Sequence, residues 1–154
     1  ISKNFLKSLI KYILIATVIF LIFSFFLLQE YEKKSNILIS EKYFKATILL
    51  SEGKNSEAKN NLEEIILSEN KIYSLLALNI ILEKNLESDD NKILSHFNLL
   101  EKSNFSNNIN DLIKLKKALY LIKINDKEAG NKILIDLIKR NSSIKSLAQE
   151  IKND

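Results

Sequence analysis

The chain has 154 residues, and 23 Lys and Arg against 19 Asp and Glu give it a formal net charge of +4. It has no Cys, which excludes disulfides and thiolate metal sites, and its single His excludes a His cluster. With no Pro and only Gly53 and Gly130, it lacks the residues that sheets and tight turns lean on, so the expected fold is all-α.

The first element is the run Tyr12 to Leu28, which contains no charge, no Gly and no Pro. At about 1.5 Å per residue it is roughly 25 Å long as a helix. With Leu9 and Ile10 it approaches the roughly 30 Å of a bilayer core. A lipid-exposed backbone must satisfy its own amides, so the run is expected to be helical despite its β-branched and aromatic content. Tyr12, Ile13, Leu14, Ile15, Val18, Phe20, Phe23, Phe26 and Leu28 are the expected lipid-facing anchor residues. Hydroxyls such as Thr17 and Ser24 can bond back to helix carbonyls. The competing readings are a buried core helix and a cleaved signal peptide. A cleavage site needs small residues after a short apolar run, but Phe25-Phe26-Leu27-Leu28 leads directly into Gln29-Glu30-Tyr31-Glu32. The segment therefore reads as an uncleaved signal anchor.

Lys3, Lys7 and Lys11 precede the span with no acid among them, whereas Glu30 and Glu32 follow it. Positive flanks stay in the cytoplasm. The expected placement is a single-pass protein of a bacterial inner membrane, with its N-terminus cytoplasmic and its C-terminal part periplasmic. The division is residues 1–29 as flank and anchor and residues 30–154 as a helical domain. All 19 acids lie after residue 29, so the domain is close to neutral and has no electrostatic footprint for nucleic acid.

Residues 30–52 carry the helical stripe Ile37, Ile39, Tyr43, Phe44, Ala46, Leu49 and Leu50, and Gly53 is placed to end it. Asn55 or Ser56 is expected to cap a second helix whose buried face is Ala58, Leu62, Ile65, Ile66 and Leu67. The third runs from about Ile72 to Lys84, with Tyr73, Leu76, Ala77, Ile80 and Ile81 on one side. Ser88-Asp89-Asp90 caps a fourth, about Asn91 to Lys102. Ser103 to Asn110 is the most loop-like stretch. A fifth helix, about Ile109 to Lys123, carries Leu112, Leu115, Leu119 and Ile122. The sixth, about Lys127 to Lys139, carries Ala129, Ile133 and Leu137, and a short helix ends near Ile151.

Sliding the sequence by 71 residues places Glu57-Ala58 on Glu128-Ala129, Asn70 on Asn141 and Leu76-Ala77 on Leu147-Ala148. Asp89 to Ile93 serves as a degenerate middle copy about halfway between. Paired helices with a period near 34 resemble the tetratricopeptide pattern. In it a small residue early in the second helix, here Ala58 or Ala129, allows close packing. A larger one four positions on, Leu62 or Ile133, fills the gap. Ala77 is the matching small residue of the third helix.

On these features the chain resembles the YfgM-type family, the ancillary subunits of the bacterial SecYEG translocon. The stretches that carry the likeness are Lys3 to Leu28, Tyr73 to Leu78 followed by Lys84 to Glu87, and Leu112 to Lys139. The resemblance implies a membrane-anchored protein-protein interaction module in the translocon and periplasmic chaperone network. Its partners would be membrane lipid, translocon subunits and a membrane-anchored periplasmic chaperone. The alternative is a structural scaffold subunit of another inner-membrane complex.

No chemistry is expected. His96 has no histidine partner, and Asp89-Asp90 sits where helix caps use acids. The chain has no nucleophile elbow, phosphate loop or zinc motif. The expectation is a non-enzyme with no cofactor, no metal, no nucleic acid and no small-molecule substrate. Repeat arrays bind partners largely through the first helix of each pair. Tyr43, Tyr73 and Tyr120 lie in such helices and are the candidate partner groove.

Overall fold

The computed structural model describes the backbone of residues 3–153 and the side chains of residues 12–153. The side chains of Lys3, Lys7 and Lys11, on which the orientation rests, lie outside the described residues. The fold is all-α: α1 (Lys3–Ser51), α2 (Asn55–Leu67), α3 (Tyr73–Glu83), α4 (Asp90–Lys102), α5 (Asn107–Lys123), α6 (Lys127–Lys139) and α7 (Lys145–Asn153), with no strand among the described residues. The chain divides into two compact units, Ile1–Leu38 and Ile39–Asp154. This differs from the expected boundary at residue 29. Residues 30–38 continue α1 with exposed side chains, and Ile39 is the first buried residue among the described side chains.

In the first unit, α1 is long and apolar enough to cross a membrane, and none of its most apolar stretch is buried. Tyr12, Ile13, Leu14, Ile15, Val18, Phe20, Phe23, Phe26 and Leu28 are 48–69% exposed, as lipid-facing side chains would be. Thr17 Oγ1 donates to the Ile13 carbonyl at 2.7 Å, satisfying its hydroxyl within the helix.

The second unit is a helical repeat. Its punctuation is a reversal in which one residue adopts positive φ after the helix end. Gly53 (φ 74°) donates to the Leu50 carbonyl at 3.1 Å and Lys54 to that of Leu49 at 2.9 Å. Asn85 (φ 49°) with Leu86, Asn125 (φ 68°) with Asp126, and Asn141 (φ 55°) with Ser142 repeat the same pair of bonds. Asn tolerates this conformation better than other residues with a Cβ. After α2 the left-handed residue is Glu69 (φ 51°), not Asn70. The Asn70 Oδ1 instead accepts from the Ile72 and Tyr73 amides at 3.0 Å, closing the turn that leads into α3.

This punctuation corrects the repeat offset. Ser51, Asn55, Leu67 and Tyr73 bound the first elements, and Lys123, Lys127, Lys139 and Lys145 bound the later ones. Each is displaced by 72 residues, not 71. A slip of one residue turns a helix face by about 100°. Gly130 and Leu134 therefore occupy the places of Ala58 and Leu62 and are buried, while Ala129 and Ile133 are half-buried. The middle copy is in register as well. Position four of α2, α4 and α6 is Ala58, Ile93 and Gly130; position eight is Leu62, Phe97 and Leu134; position eleven is Ile65, Leu100 and Leu137. All nine are buried. Ala77 and Ala148, both fully buried, keep the 71-residue pairing.

Caps also differ from expectation. Lys54 occupies the N-cap of α2 without a side-chain bond. Gly53-Lys54 both ends α1 and starts α2, so Asn55 and Ser56 already lie in the helix. The Asp89 side chain caps α4 as expected, accepting from the Asn91 amide at 2.9 Å. The loop after α4 is shorter than expected, because α5 begins at Asn107.

Candidate functional site

Counting back from Gly53, Asn85 and Asn125 aligns the first helices α1, α3 and α5. Seven residues before each reversal stand Ala46, Leu78 and Ala118, and four before it Leu49, Ile81 and Leu121. All six are buried. These rows face the core. The opposite rows are nine and six residues before each reversal. The first is Phe44, Leu76 and Lys116; the second is Thr47, Asn79 and Leu119. Together with Ile72, Leu112, Ser51, Glu83 and Lys123 they follow the i, i+4, i+7, i+11 spacing of one helix face. Phe44 is 70% exposed, Ile72 64%, Leu119 42% and Leu76 39%. An apolar residue exposed singly means little, but its recurrence on one face of successive repeat helices is where such arrays bind.

Of the candidate groove tyrosines, Tyr43 and Tyr73 are brought together and Tyr120 is not. Tyr43 and Tyr73 are half-buried and pack with ring centroids 5.3 Å apart and planes tilted by 49°. Tyr120 is core: it is 8% exposed, lies 6.0 Å from the Phe97 ring, and its hydroxyl donates to Asp90 Oδ1 at 2.5 Å. Burial, together with the Asp90 carboxylate, pushes its phenol well above the ordinary range. Tyr120 sits five residues before its reversal, a row in which Ile48 is exposed and Ile80 half-buried; it is the Phe97 ring and the Asp90 carboxylate of α4 that bury it, whereas Leu119 faces out. Sequence reasoning favoured aromatics. The turn register, visible only once Asn85 and Asn125 are known to reverse the chain, selects Phe44, Leu76 and Leu119.

Two polar clusters brace the ladder. Glu87 is the hub of the first. One carboxylate oxygen accepts from the Ser88 and Asp89 amides at 2.8 and 3.0 Å. The other meets Lys59 at 2.7 Å and Lys92 at 3.3 Å, and Lys92 also pairs with Glu63 at 2.7 Å. The Lys59 bond, then the Asp89 amide, depress the Glu87 carboxyl from 4.5 to about 2. A depressed folded-state value contributes stability above the unfolded value and loses it as pH falls. Unfolding free energy should therefore drop between about pH 5 and 2, and Glu87→Gln should flatten that limb in urea titrations taken at each pH. An unchanged limb would show that the hub does not hold the ladder. Buried His96 behaves similarly at higher pH: burial lowers its basicity, so its contribution shrinks as pH falls below 6.5.

The second cluster was not foreseen. Asp111 of α5 is buried and accepts from Arg140 Nη2 at 2.5 Å and from the Ser142 hydroxyl, joining α5 to the α6–α7 turn. No group of three or more His, Cys, Asp or Glu fit for a metal occurs among the described residues.

Compared with protein-family models, with curated proteins and with solved structures, the chain finds no match.

Proposed function

We propose that the chain is a membrane-anchored protein-protein interaction module that serves as an accessory subunit of the SecYEG translocon and periplasmic chaperone network. The observation that carries the interaction role is the exposure of Phe44 and Leu76 at the same register position of successive first helices, with Leu119 exposed on the same face of α5. The apolar segment Tyr12 to Leu28 supports a single-pass anchor in the bacterial inner membrane. The Lys3, Lys7 and Lys11 flank favours a cytoplasmic N-terminus and a periplasmic ladder. The translocon assignment rests on the resemblance to YfgM-type subunits, whose tetratricopeptide-like pattern the repeat spacing supports. On this reading lipid holds α1 while translocon subunits, or a membrane-anchored periplasmic chaperone, engage the ladder.

A photo-crosslinking residue at Phe20 and at Leu76, each in the full chain in its native host, tests it. Adducts to translocon subunits from Phe20, and to a membrane-anchored folding factor or emerging polypeptides from Leu76, are expected. Adducts from both sites to one unrelated membrane complex would replace this reading with a scaffold role. Leu76 is the better probe than Tyr73, because Tyr73 is occupied by Tyr43.

A further inference from the structure

The exposed face of the first helices is not uniform from one helix to the next. In the row nine residues before each reversal, Phe44 and Leu76 give way to Lys116. In the row two residues before it, Ser51 and Glu83 give way to Lys123. The other α5 lysines near this face are engaged: Lys114 pairs with Asp136 at 3.5 Å, and Lys117 with Glu101 at 3.0 Å and Asn98 at 2.7 Å. Among the described residues Lys116 and Lys123 have no acid partner. Lys123 borders a small cavity of about 130 Å³ with Glu87 and Asp90. Those acids are already held, Glu87 by Lys59 and Lys92 and Asp90 by Tyr120. The asymmetry extends to the whole unit. Residues 39–106 carry eight Lys and eleven Asp or Glu, whereas residues 107–154 carry ten Lys and Arg and six acids.

From this charge gradient, and resting on the interaction role proposed above, we propose that this face binds an apolar polypeptide segment with an acidic flank. The apolar part lies along Phe44, Ile72 and Leu76. The acidic flank lies over α5, drawn by Lys116 and Lys123 and turned away from α3 by Glu83. Charge complementarity of this kind sets register and selects partners more than it adds affinity.

The full chain in nanodiscs of zwitterionic phospholipid is titrated into two fluorescent peptides by anisotropy. They share one Leu- and Phe-rich core and differ only in a glutamate-rich or lysine-rich flank. At low salt the acidic peptide should bind about fivefold tighter, the effect of two exposed charge contacts. Salt near 0.5 M should erase the difference, because the Debye length falls to roughly 4 Å. Lys116→Glu with Lys123→Glu should reverse the preference, and Leu76→Ser should weaken both peptides. Equal affinities would overturn the charge assignment while leaving the interaction role intact. Binding of neither peptide would overturn the proposal, and the crosslinks from Leu76 then decide the interaction role separately. A dimer in sedimentation that excludes both peptides would overturn it in favour of a second copy of the chain.

Discussion

Replacing Phe97 by Ala should destabilise the ladder by about 3–5 kcal/mol, the usual result of emptying a buried aromatic site. Phe97 is fully buried at position eight of α4, where α2 and α6 carry Leu62 and Leu134. It stands in the core that joins α1 to α5, with Ile39 and Ala46 at one end and Ile113 and Tyr120 at the other. The cavity would open beside the Tyr120 ring. Tyr120 is tethered through its hydroxyl to Asp90, so it is poorly placed to collapse into the gap. A native stability of about 5–15 kcal/mol leaves little margin for such a loss. Thermal unfolding of the full chain in detergent, followed by far-ultraviolet circular dichroism, should show a large fall in the ladder's transition. Phe44→Ala is the control. Phe44 is 70% exposed, and the same truncation there should change stability by less than about 0.5 kcal/mol. If the two variants melt alike, the assignment of inward and outward rows is wrong, and with it the proposed binding face.

The all-α fold and most helix ends were legible because composition and punctuation agreed. Gly53 and the Asp89-Asp90 cap are local signals, and local signals survive folding. The repeat was legible too, but one residue out of step. Glu57-Ala58 matches Glu128-Ala129 as letters, yet the helix phase is set by where the chain reverses. Those reversals use Asn85, Asn125 and Glu69, whose positive φ values no spacing announces. Tyr120 is a groove candidate only by lying in a first helix, which does not say which side of the helix it takes; Phe97 and Asp90 hold it inward beside exposed Leu119. Asp111 stayed hidden for a different reason. Its partners Arg140 and Ser142 lie about thirty residues on, and an isolated acid in a helix reads as solvated surface until tertiary structure buries it.

The phase error supplies the sharpest test of the repeat packing. Gly130→Ala removes a poor helix former from α6, and on propensity alone it should stabilise by about 1 kcal/mol. The contacts oppose this. A Cβ on Gly130 would lie 2.7 Å from Ile122 Cγ1 and 2.9 Å from the Ala118 carbonyl oxygen, both on α5. The Ile122 side chain can rotate, but the Ala118 oxygen belongs to a helix backbone whose side chain is itself fully buried. Relief requires α6 to move off α5, and forced core expansion of this kind costs about 1–3 kcal/mol. We therefore expect Gly130→Ala to lower the melting transition of the full chain despite its better helix propensity. Ala129→Gly, one residue away and half-buried, should cost no more than the roughly 1 kcal/mol of lost propensity. If Gly130→Ala instead raises the transition, α5 and α6 can part without penalty. The small residue that sets their approach would then be Ala129, the position marked by the 71-residue register. Because the two registers predict opposite signs for one methyl group, the direction of the shift alone decides between them.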